Sequence, residues 1–300
     1  HMEDFFMTIT SSSDVWNFCW SKGGITAGRI NADHAIFPYY TADKVSDSKL
    51  VTGSYTVLSV EKDGKKTIWE PFAPLLSNTG YKYSEQNIQR NLYKNANGTK
   101  IWFEEINNDL ELVFRYGWTS SAKYGLVKMS YIENISNSTQ KITVLDGCRN
   151  ILPACIDSAL QVSSSELLDA YKQTDLDEKS NLAMFRLSSV LTDKAEPSEA
   201  LLANVSWFST EDKIFLSNDP VEAFYKADCD ITKLNYSNIL RGGRASCFIA
   251  REISLENGVT SGSLFIDDIP SRASPPKSNR DICPSRFFLL LFCADSTRPS

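Results

Sequence analysis

The sequence predicts an all-β protein, a large antiparallel β-supersandwich with one or two short helices. Three observations support this prediction. Apolar and polar residues alternate over many short runs, Asn, Asp, Gly and Ser turns separate the runs, and no regular alternation of strands with long helices is visible. Alternation with a period of two places one side of each strand against a core. With 300 residues, 42% of them hydrophobic, the chain can bury such a core without staples.

Two hairpins are the clearest local signals. Residues 54–72 hold two alternating runs on either side of Asp63-Gly64, and residues 91–106 repeat the pattern around Asn97-Gly98. Both dipeptides suit tight hairpin turns because they tolerate positive φ angles. The same cadence predicts further strands within residues 107–121, 124–136 and 139–151.

The middle of the sequence is different. Residues 163–176 begin with serines and carry apolar residues near helical spacing, which predicts one short helix. Residues 182–191 and 201–209 return to strand patterns. Residues 220–227 indicate a helical turn, and residues 243–258 hold the last predicted strand with its turn.

The end of the chain breaks this pattern. Residues 271–300 are rich in Pro, Ser and Arg, and their one apolar run, 287–293, is far shorter than the ~20 residues that span a bilayer. We therefore expect a β-supersandwich domain over residues 3–270 and a weakly ordered or non-native tail over 271–300. His1-Met2 has the look of a cleaved-tag remnant.

Composition restricts the partners and the location. The formal net charge is −6 and no long basic run occurs, so nucleic acid is not an expected partner, and neither is a membrane. Seven cysteines without a CxxC pair indicate free, mostly buried thiols rather than a disulfide framework or a zinc site. With no secretory leader after the tag remnant, we expect a cytoplasmic protein.

Residues 23–44 contain the least ordinary motif, "GGITAGR" followed by His34. Its spacing matches neither the dinucleotide fingerprint nor the P-loop, so no nucleotide cofactor is expected. The glycines fit a bulge or tight turn, and Arg29 could pair with Asp33 as a clamp. His34 is the sole histidine outside the tag remnant, which argues against a multi-histidine metal site. A buried, hydrogen-bonded histidine is favoured over a catalytic base, since no G-x-S-x-G elbow is present.

Aromatic residues suggest sugar contacts, because sugar sites place flat rings beside carboxylates and amides. The aromatic sets are Trp16 with Trp20, Phe37 with Tyr39 and Tyr40, Trp69 with Phe72, and Trp102 with Trp118. A place in the sandwich core is the competing interpretation of each ring. We predict no catalytic residue, and the candidate ligand-binding residues are Arg29, His34, Tyr39, Tyr40, Trp69, Glu70 and Trp118.

Three carboxylates, Asp193, Glu196 and Glu199, lie within seven residues. A pair of carboxylates could perform acid and base steps in glycoside hydrolysis. A solvated loop or helix start is favoured instead, because Pro197 suits a first helical turn.

The hairpin pattern "VKMSYIENISNSTQKITVLDGCRNIL" at 127–152 resembles the supersandwich domain of glycoside hydrolase family 94, the cellobiose phosphorylase type. The segment "GRINADHAIFPYY" is similar to the early part of this domain in uncharacterised bacterial relatives. The resemblance covers roughly residues 12–265. It implies a β-domain that precedes an (α/α)6 barrel with the catalytic aspartate and the phosphate site, and this sequence holds no such barrel.

The resemblance implies a non-catalytic N-terminal β-domain of a carbohydrate-active enzyme, without activity by itself, whose parent is a glycoside phosphorylase or hydrolase. It would give structural support, contact sugar, adjoin a downstream (α/α)6 domain and could form a homodimer, with no cofactor or metal. The alternative is a stand-alone mutarotase-like or lyase-like sugar enzyme that uses His34 with acidic partners. The fold also resembles galactose mutarotase, whose set of histidines this chain lacks.

Overall fold

The computed structural model describes residues 4–39, 42–62, 64–73, 87–122, 124–154, 156, 158–188, 203–208, 210, 212–226, 230, 233–258, 260–262 and 287–293. In chain order the strands are β1 (Phe6–Thr8), β2 (Val15–Trp20), β3 (Ile25–Arg29), β4 (Ala35–Phe37), β5 (Gly53–Lys62), β6 (Lys65–Trp69), β7 (Ile88–Lys94), β8 (Lys100–Asn107), β9 (Leu112–Ser121), β10 (Gly125–Asn134), β11 (Gln140–Arg149), β12 (Lys172–Asp177), β13 (Leu182–Leu187), β14 (Asn204–Phe208), β15 (Ile214–Phe215), β16 (Ile239–Arg241), β17 (Ser246–Leu255), β18 (Thr260–Gly262) and β19 (Phe287–Cys293).

In the described segments these strands form three antiparallel sheets, which confirms the predicted all-β class and the large antiparallel sandwich. A four-stranded sheet has the order β1-β2-β3-β4, and a five-stranded sheet has the order β15-β17-β11-β5-β6. The ten-stranded sheet has the order β16-β12-β13-β14-β19-β10-β9-β8-β7, and β18 also pairs with β10. One buried apolar cluster takes residues from all three sheets, including Ile36, Leu58 and Phe114. The two smaller sheets therefore share one core with the large sheet.

The helices are short: a 3-10 turn (Ala32–His34), α1 (Ala42–Ser48), α2 (Ser158–Ser163), α3 (Ser165–Tyr171) and α4 (Asp219–Phe224). The prediction of a helical turn at 220–227 agrees with α4. Neither α1 nor α2 was predicted, so the described residues hold four short α-helices where one or two were expected. None of the helices in the described parts of the chain is long and apolar enough to cross a membrane.

Both predicted hairpins form, with one difference. β5 and β6 pair from Lys62 opposite Lys65, and Gly64 has a φ of 73° as a tight turn requires. β7 and β8 pair only as far as Lys94 opposite Ile101, so their loop is longer than two residues. There the Asn95 side chain accepts a hydrogen bond from the Lys100 N–H at 2.9 Å and closes the loop around Gly98, which has a φ of 68°.

Two segments differ from the sequence-based expectation. The helix predicted over 163–176 stops early, because residues 172–177 form β12 and pair with β13. Within the expected tail, residues 287–293 form β19, which lies between β14 and β10. A continuous apolar run is typical of a strand inside a sheet, and the polar residues around it concealed this pattern. The rest of 271–300 lies outside the described residues.

An ion pair crosses the core between two sheets. The Lys128 Nζ, on β10, lies 2.7 Å from the Asp146 Oδ1, on β11, and the two side chains are only 1% and 4% exposed. Lys128 also donates to the Gly147 carbonyl at 3.2 Å, and the Thr56 hydroxyl donates to Asp146 Oδ1 at 2.5 Å. Because each group of the pair has a further partner, the cost of burying its charges is partly offset.

Candidate functional site

A row of aromatic side chains lies on the outer face of the four-stranded sheet. Along β2, Val15, Asn17 and Cys19 are buried, so the alternate residues Trp16, Phe18 and Trp20 lie on the opposite side. Tyr39, just after β4, packs edge-on against Trp16, with ring centroids 5.6 Å apart, and Phe18 follows at 6.1 Å from Trp16. Phe6 lies opposite Trp20 in the β1–β2 register. We call this set the aromatic face: Phe6, Trp16, Phe18, Trp20 and Tyr39.

The aromatic face is exposed and held in place. Phe6, Phe18 and Tyr39 expose 40%, 38% and 42% of their surface. The Trp16 indole Nε1 donates to the Asn31 carbonyl at 3.1 Å, which fixes its ring. Trp16 and Trp20 are four residues apart on one strand, or about 13 Å. A cluster of partly exposed aromatic rings is a candidate contact site for a ligand or a partner.

Arg29 and His34 lie at one end of this sheet, and both have local partners. Arg29 pairs with Asp14 instead of Asp33, with its Nη2 2.7 Å from Asp14 Oδ1. The Asp33 carboxylate accepts the Ser158 N–H at 2.8 Å, and that hydrogen bond lowers the pKa of Asp33. His34 Nδ1 lies 2.8 Å from Asn31 Oδ1 and its side chain is half-buried rather than buried. The histidine is therefore hydrogen-bonded, as expected, but it is not part of the core.

The other predicted ligand residues have different surroundings. Trp69 and Trp118 are 0% and 1% exposed; Trp118 packs edge-on against Phe37 in the core. With no free ring face, neither tryptophan can stack on a sugar, so we leave them out of the site. Tyr40 and the carboxylates predicted at 193–199 lie outside the described residues. Glu70 lines a separate cleft, whose lining includes none of the aromatic-face residues.

This cleft is lined by residues from separate elements, and we call it the Arg149 cleft: Gly23, Lys49, Tyr55, Glu70, Phe72 and Arg149 are among its lining residues. Its volume is about 40 Å³. One water needs roughly 10–15 Å³ of such a volume, so the cleft holds about three waters. It therefore fits one small polar group rather than a whole sugar ring.

One wall of the cleft is the turn after β6. Phe72 has a positive φ of 64°, which is unusual for a residue other than glycine. Its N–H donates to Glu105 Oε2 at 2.7 Å, and its carbonyl accepts from the Lys49 Nζ at 2.8 Å. Glu105 is 1% exposed and also accepts from the Trp69 indole at 2.8 Å and from Arg90 Nε at 2.7 Å. Glu105 thus holds the turn that carries Glu70 and Phe72.

Arg149, at the end of β11, also lines the cleft. Its guanidinium carbon lies 3.7 Å from the centre of the Tyr55 ring, and its buried Nε has no hydrogen-bond partner among the described residues. The Tyr55 and Tyr225 hydroxyls are 2.9 Å apart, and Tyr225 in turn donates to Glu70. Burial raises the pKa of Tyr55 to about 12 and also raises that of Tyr225, so both phenols stay protonated. They act as donors, not as bases.

Both cations of the cleft are perturbed by burial. Burial is the main cause that lowers the pKa of Lys49 to about 8, and Arg90 lowers it further while Glu105 and Glu70 oppose the shift. Burial also lowers the pKa of Arg149. A buried charge without a full set of partners is costly, which makes this cleft a candidate binding site.

Two other kinds of site have less support. A depression of about 330 Å³ lies on the five-stranded sheet, with Glu61, Lys66, Lys141 and Glu252 in its lining but no aromatic ring. Within the described ranges, no group of three or more His, Cys, Asp and Glu side chains could hold a metal ion. The aromatic face and the Arg149 cleft remain the two candidate sites.

The sequence analysis named Tyr39 and Glu70 as candidate ligand residues and noted Trp16 and Trp20 as an aromatic pair, but it singled out neither Phe6 and Phe18 nor the cations of the cleft. Arg149 is the last residue of β11, and a charged residue at the end of a largely buried strand was the available sign of a site. Lys49 gave no signal, because its burial depends on packing between α1 and the turn after β6.

Comparison with known proteins gives a likeness of shape only. No family model matches the sequence, and no curated protein matches it. A bacterial glucoamylase solved in complex with acarbose superposes with a TM-score of 0.47 and 10% identity, over 87% of this chain and 34% of that chain. A polysaccharide lyase superposes with a TM-score of 0.40 and 9% identity, over 97% of this chain and 33% of that chain.

The chain thus spans about a third of the length of these two enzymes. The identities are too low to transfer the role of any residue. Neither enzyme is a phosphorylase of the family 94 type, so that resemblance stays a prediction.

Proposed function

We propose that this chain is a non-catalytic β-domain of a carbohydrate-active enzyme, of the glycoside phosphorylase or hydrolase kind, and that it contacts carbohydrate. The observation that carries the proposal is the aromatic face. Several rings line one face of one small sheet, and the Trp16 ring is fixed by its hydrogen bond to Asn31. Flat, preorganised rings stack on the apolar faces of sugar rings at little entropic cost.

In this proposal, an (α/α)6 catalytic domain follows the β-domain in the parent protein. The β-domain gives structural support to that neighbour and could also form a homodimer. By itself it turns over no sugar. This proposal follows from the sequence resemblance and from the pairing of the polar groups near the aromatic face, where Arg29 is bound to Asp14 and Asp33 to Ser158.

The alternative enzyme, which would use His34 with acidic partners, has less support. Epimerisation or elimination on a sugar needs an acid and a base on two sides of one carbon. His34 binds Asn31, and the adjacent carboxylate of Asp33 is occupied by the Ser158 N–H. His34 is not among the residues that line the Arg149 cleft.

Glycan titration tests the proposal. We expect the full chain to bind at least one of two soluble oligosaccharides, a β-1,4-linked or an α-1,4-linked glucan, in isothermal titration calorimetry. Trp16→Ala should weaken this binding by about tenfold, which corresponds to about 1.4 kcal/mol of lost stacking. The matched control is Tyr93→Ala, which removes a ring that is 52% exposed on β7 of the large sheet.

The control should bind like the unmodified chain. Equal losses in Trp16→Ala and Tyr93→Ala would place the sugar elsewhere, and the absence of binding to both glucans would contradict the proposal for glucans. Turnover of aryl glycosides that disappears in His34→Ala would instead establish the alternative enzyme.

A further inference from the structure

The Arg149 cleft presents positive charge that the described residues do not pair. Arg149 stacks on Tyr55 and forms no ion pair among them, and its Nε is buried without an acceptor there. Within the same residues, the hydrogen bond of the Lys49 Nζ goes to a neutral carbonyl, that of Phe72, at 2.8 Å. The one carboxylate in the lining, Glu70, accepts from Tyr225.

We propose that the Arg149 cleft binds a single carboxylate group, either of an acidic sugar or of a small organic acid. The guanidinium edge of Arg149 and the ammonium of Lys49 would donate to the two carboxylate oxygens. The volume of about 40 Å³ accommodates a group of this size and leaves the rest of the ligand outside the cleft. The lining of the cleft shares no residue with the aromatic face, whose proposed contacts need no charge on the ligand.

The charges in the lining favour a monoanion. Lys49 and Arg149 carry two positive charges and Glu70 one negative charge, which leaves one positive charge in excess. A carboxylate neutralises this excess, whereas a doubly charged phosphate would leave a negative charge beside Glu70. Glu70, held in place by Tyr225, can also accept a hydrogen bond from a hydroxyl of the same ligand, as an acidic sugar would offer.

The cleft also predicts the direction of the pH dependence. Lys49 has a pKa of about 8, because burial and the cations Arg90 and Lys22 outweigh the carboxylates Glu105 and Glu70. A bound anion favours the protonated amine, so binding takes up a proton and the affinity falls as the pH rises through about 8.

The experiment is a calorimetric titration of the full chain with sodium glucuronate, sodium acetate, inorganic phosphate and glucose. We expect glucuronate to bind and glucose to bind more weakly at this site. Arg149→Gln should lower the glucuronate affinity by about tenfold or more, as expected for a lost charge-assisted contact of about 1.5–3 kcal/mol. Lys49→Gln should lower it less, and only below about pH 8. Lys141→Gln, which removes an exposed lysine elsewhere, is the matched control.

Each outcome bears on the proposal. Similar binding of acetate and glucuronate means that the carboxylate alone is recognised, and binding of glucuronate alone means that Glu70 and Tyr225 read the sugar hydroxyls. Tighter binding of phosphate than of either carboxylate would overturn the proposal that the cleft prefers a carboxylate. No saturable glucuronate binding, or an equal loss in Lys141→Gln, would overturn the proposal. If Arg149→Gln does not fold by circular dichroism, Lys49→Gln provides the test below about pH 8, where it should still lower the glucuronate affinity and unchanged affinity would overturn the proposal.

Discussion

Lys128→Met is expected to lower the free energy of unfolding by about 3–5 kcal/mol, the usual cost when one partner of a buried ion pair is removed. Methionine fills much of the lysine volume, so the loss comes from charge rather than from a cavity. Asp146 would remain 4% exposed with Thr56 as its main donor. Urea unfolding followed by circular dichroism measures the change.

A double variant separates the pair from general damage to the core. Lys128→Met with Asp146→Asn removes both charges, while the oxygen of the introduced amide can still accept from Thr56. It should lose less stability than the sum of the two single variants, because each single variant alone leaves an uncompensated charge. Lys141→Met, on the exposed side of β11, is the control and should change stability little. Additive losses in the double variant would show that the two charges are not coupled.

The sequence of β10 carries a sign of this pair. Residues Leu126, Lys128, Ser130 and Ile132 share one side of the strand, and that side is buried. Lys128 shares this side with the apolar residues Leu126 and Ile132, and it therefore lies in the core. Its partner could not be predicted, because β10 and β11 belong to different sheets and only their packing brings Lys128 to Asp146.

Local signals predicted local structure well. The segments around Gly64 and around Asn97-Gly98 both form turns, because glycine and asparagine favour the backbone angles that a turn requires. Residues 172–177 became a strand although the pattern of the preceding helix continues into them. Pairing with β13 overrides such a preference, and that pairing is not visible in a single sequence.

The two candidate sites also differ in how much of each depends on local sequence. Trp16 and Trp20 stood out in the sequence only as an aromatic pair, and it is the alternation of β2, a strand that was not predicted, that places both rings on one face. The Arg149 cleft requires β5, β11, the turn after β6 and the residues that follow α1 to meet, so no single motif encodes it. The same distinction explains why Trp69 and Glu70, adjacent in sequence, differ so much: one is fully buried and the other lines the cleft.

Glu105→Ala is expected to destabilise the protein by about 3 kcal/mol and to weaken the Arg149 cleft at the same time. The substitution leaves two donors, the buried Trp69 indole and the Phe72 N–H, without an acceptor, at about 1–3 kcal/mol each. Arg90 contributes less, because its side chain is 33% exposed and water can replace the carboxylate.

The effect on the cleft follows from the strained backbone of Phe72. A φ of 64° persists only while the surroundings impose it, and Glu105 accepts the hydrogen bond from the Phe72 N–H. Without it, the Phe72 carbonyl would no longer hold the Lys49 Nζ, and the lysine would lose its place in the cleft.

Glu105→Gln should give a stability and a glucuronate affinity between those of the unmodified chain and of Glu105→Ala. The one side-chain oxygen of glutamine can accept from only some of the donors that Glu105 binds. Glu61→Ala, an exposed carboxylate on β5, is the control. Urea unfolding and glucuronate titration of the same variants measure both effects. A Glu105→Ala protein that is destabilised but binds glucuronate with unchanged affinity would show that the Phe72 turn does not shape the cleft.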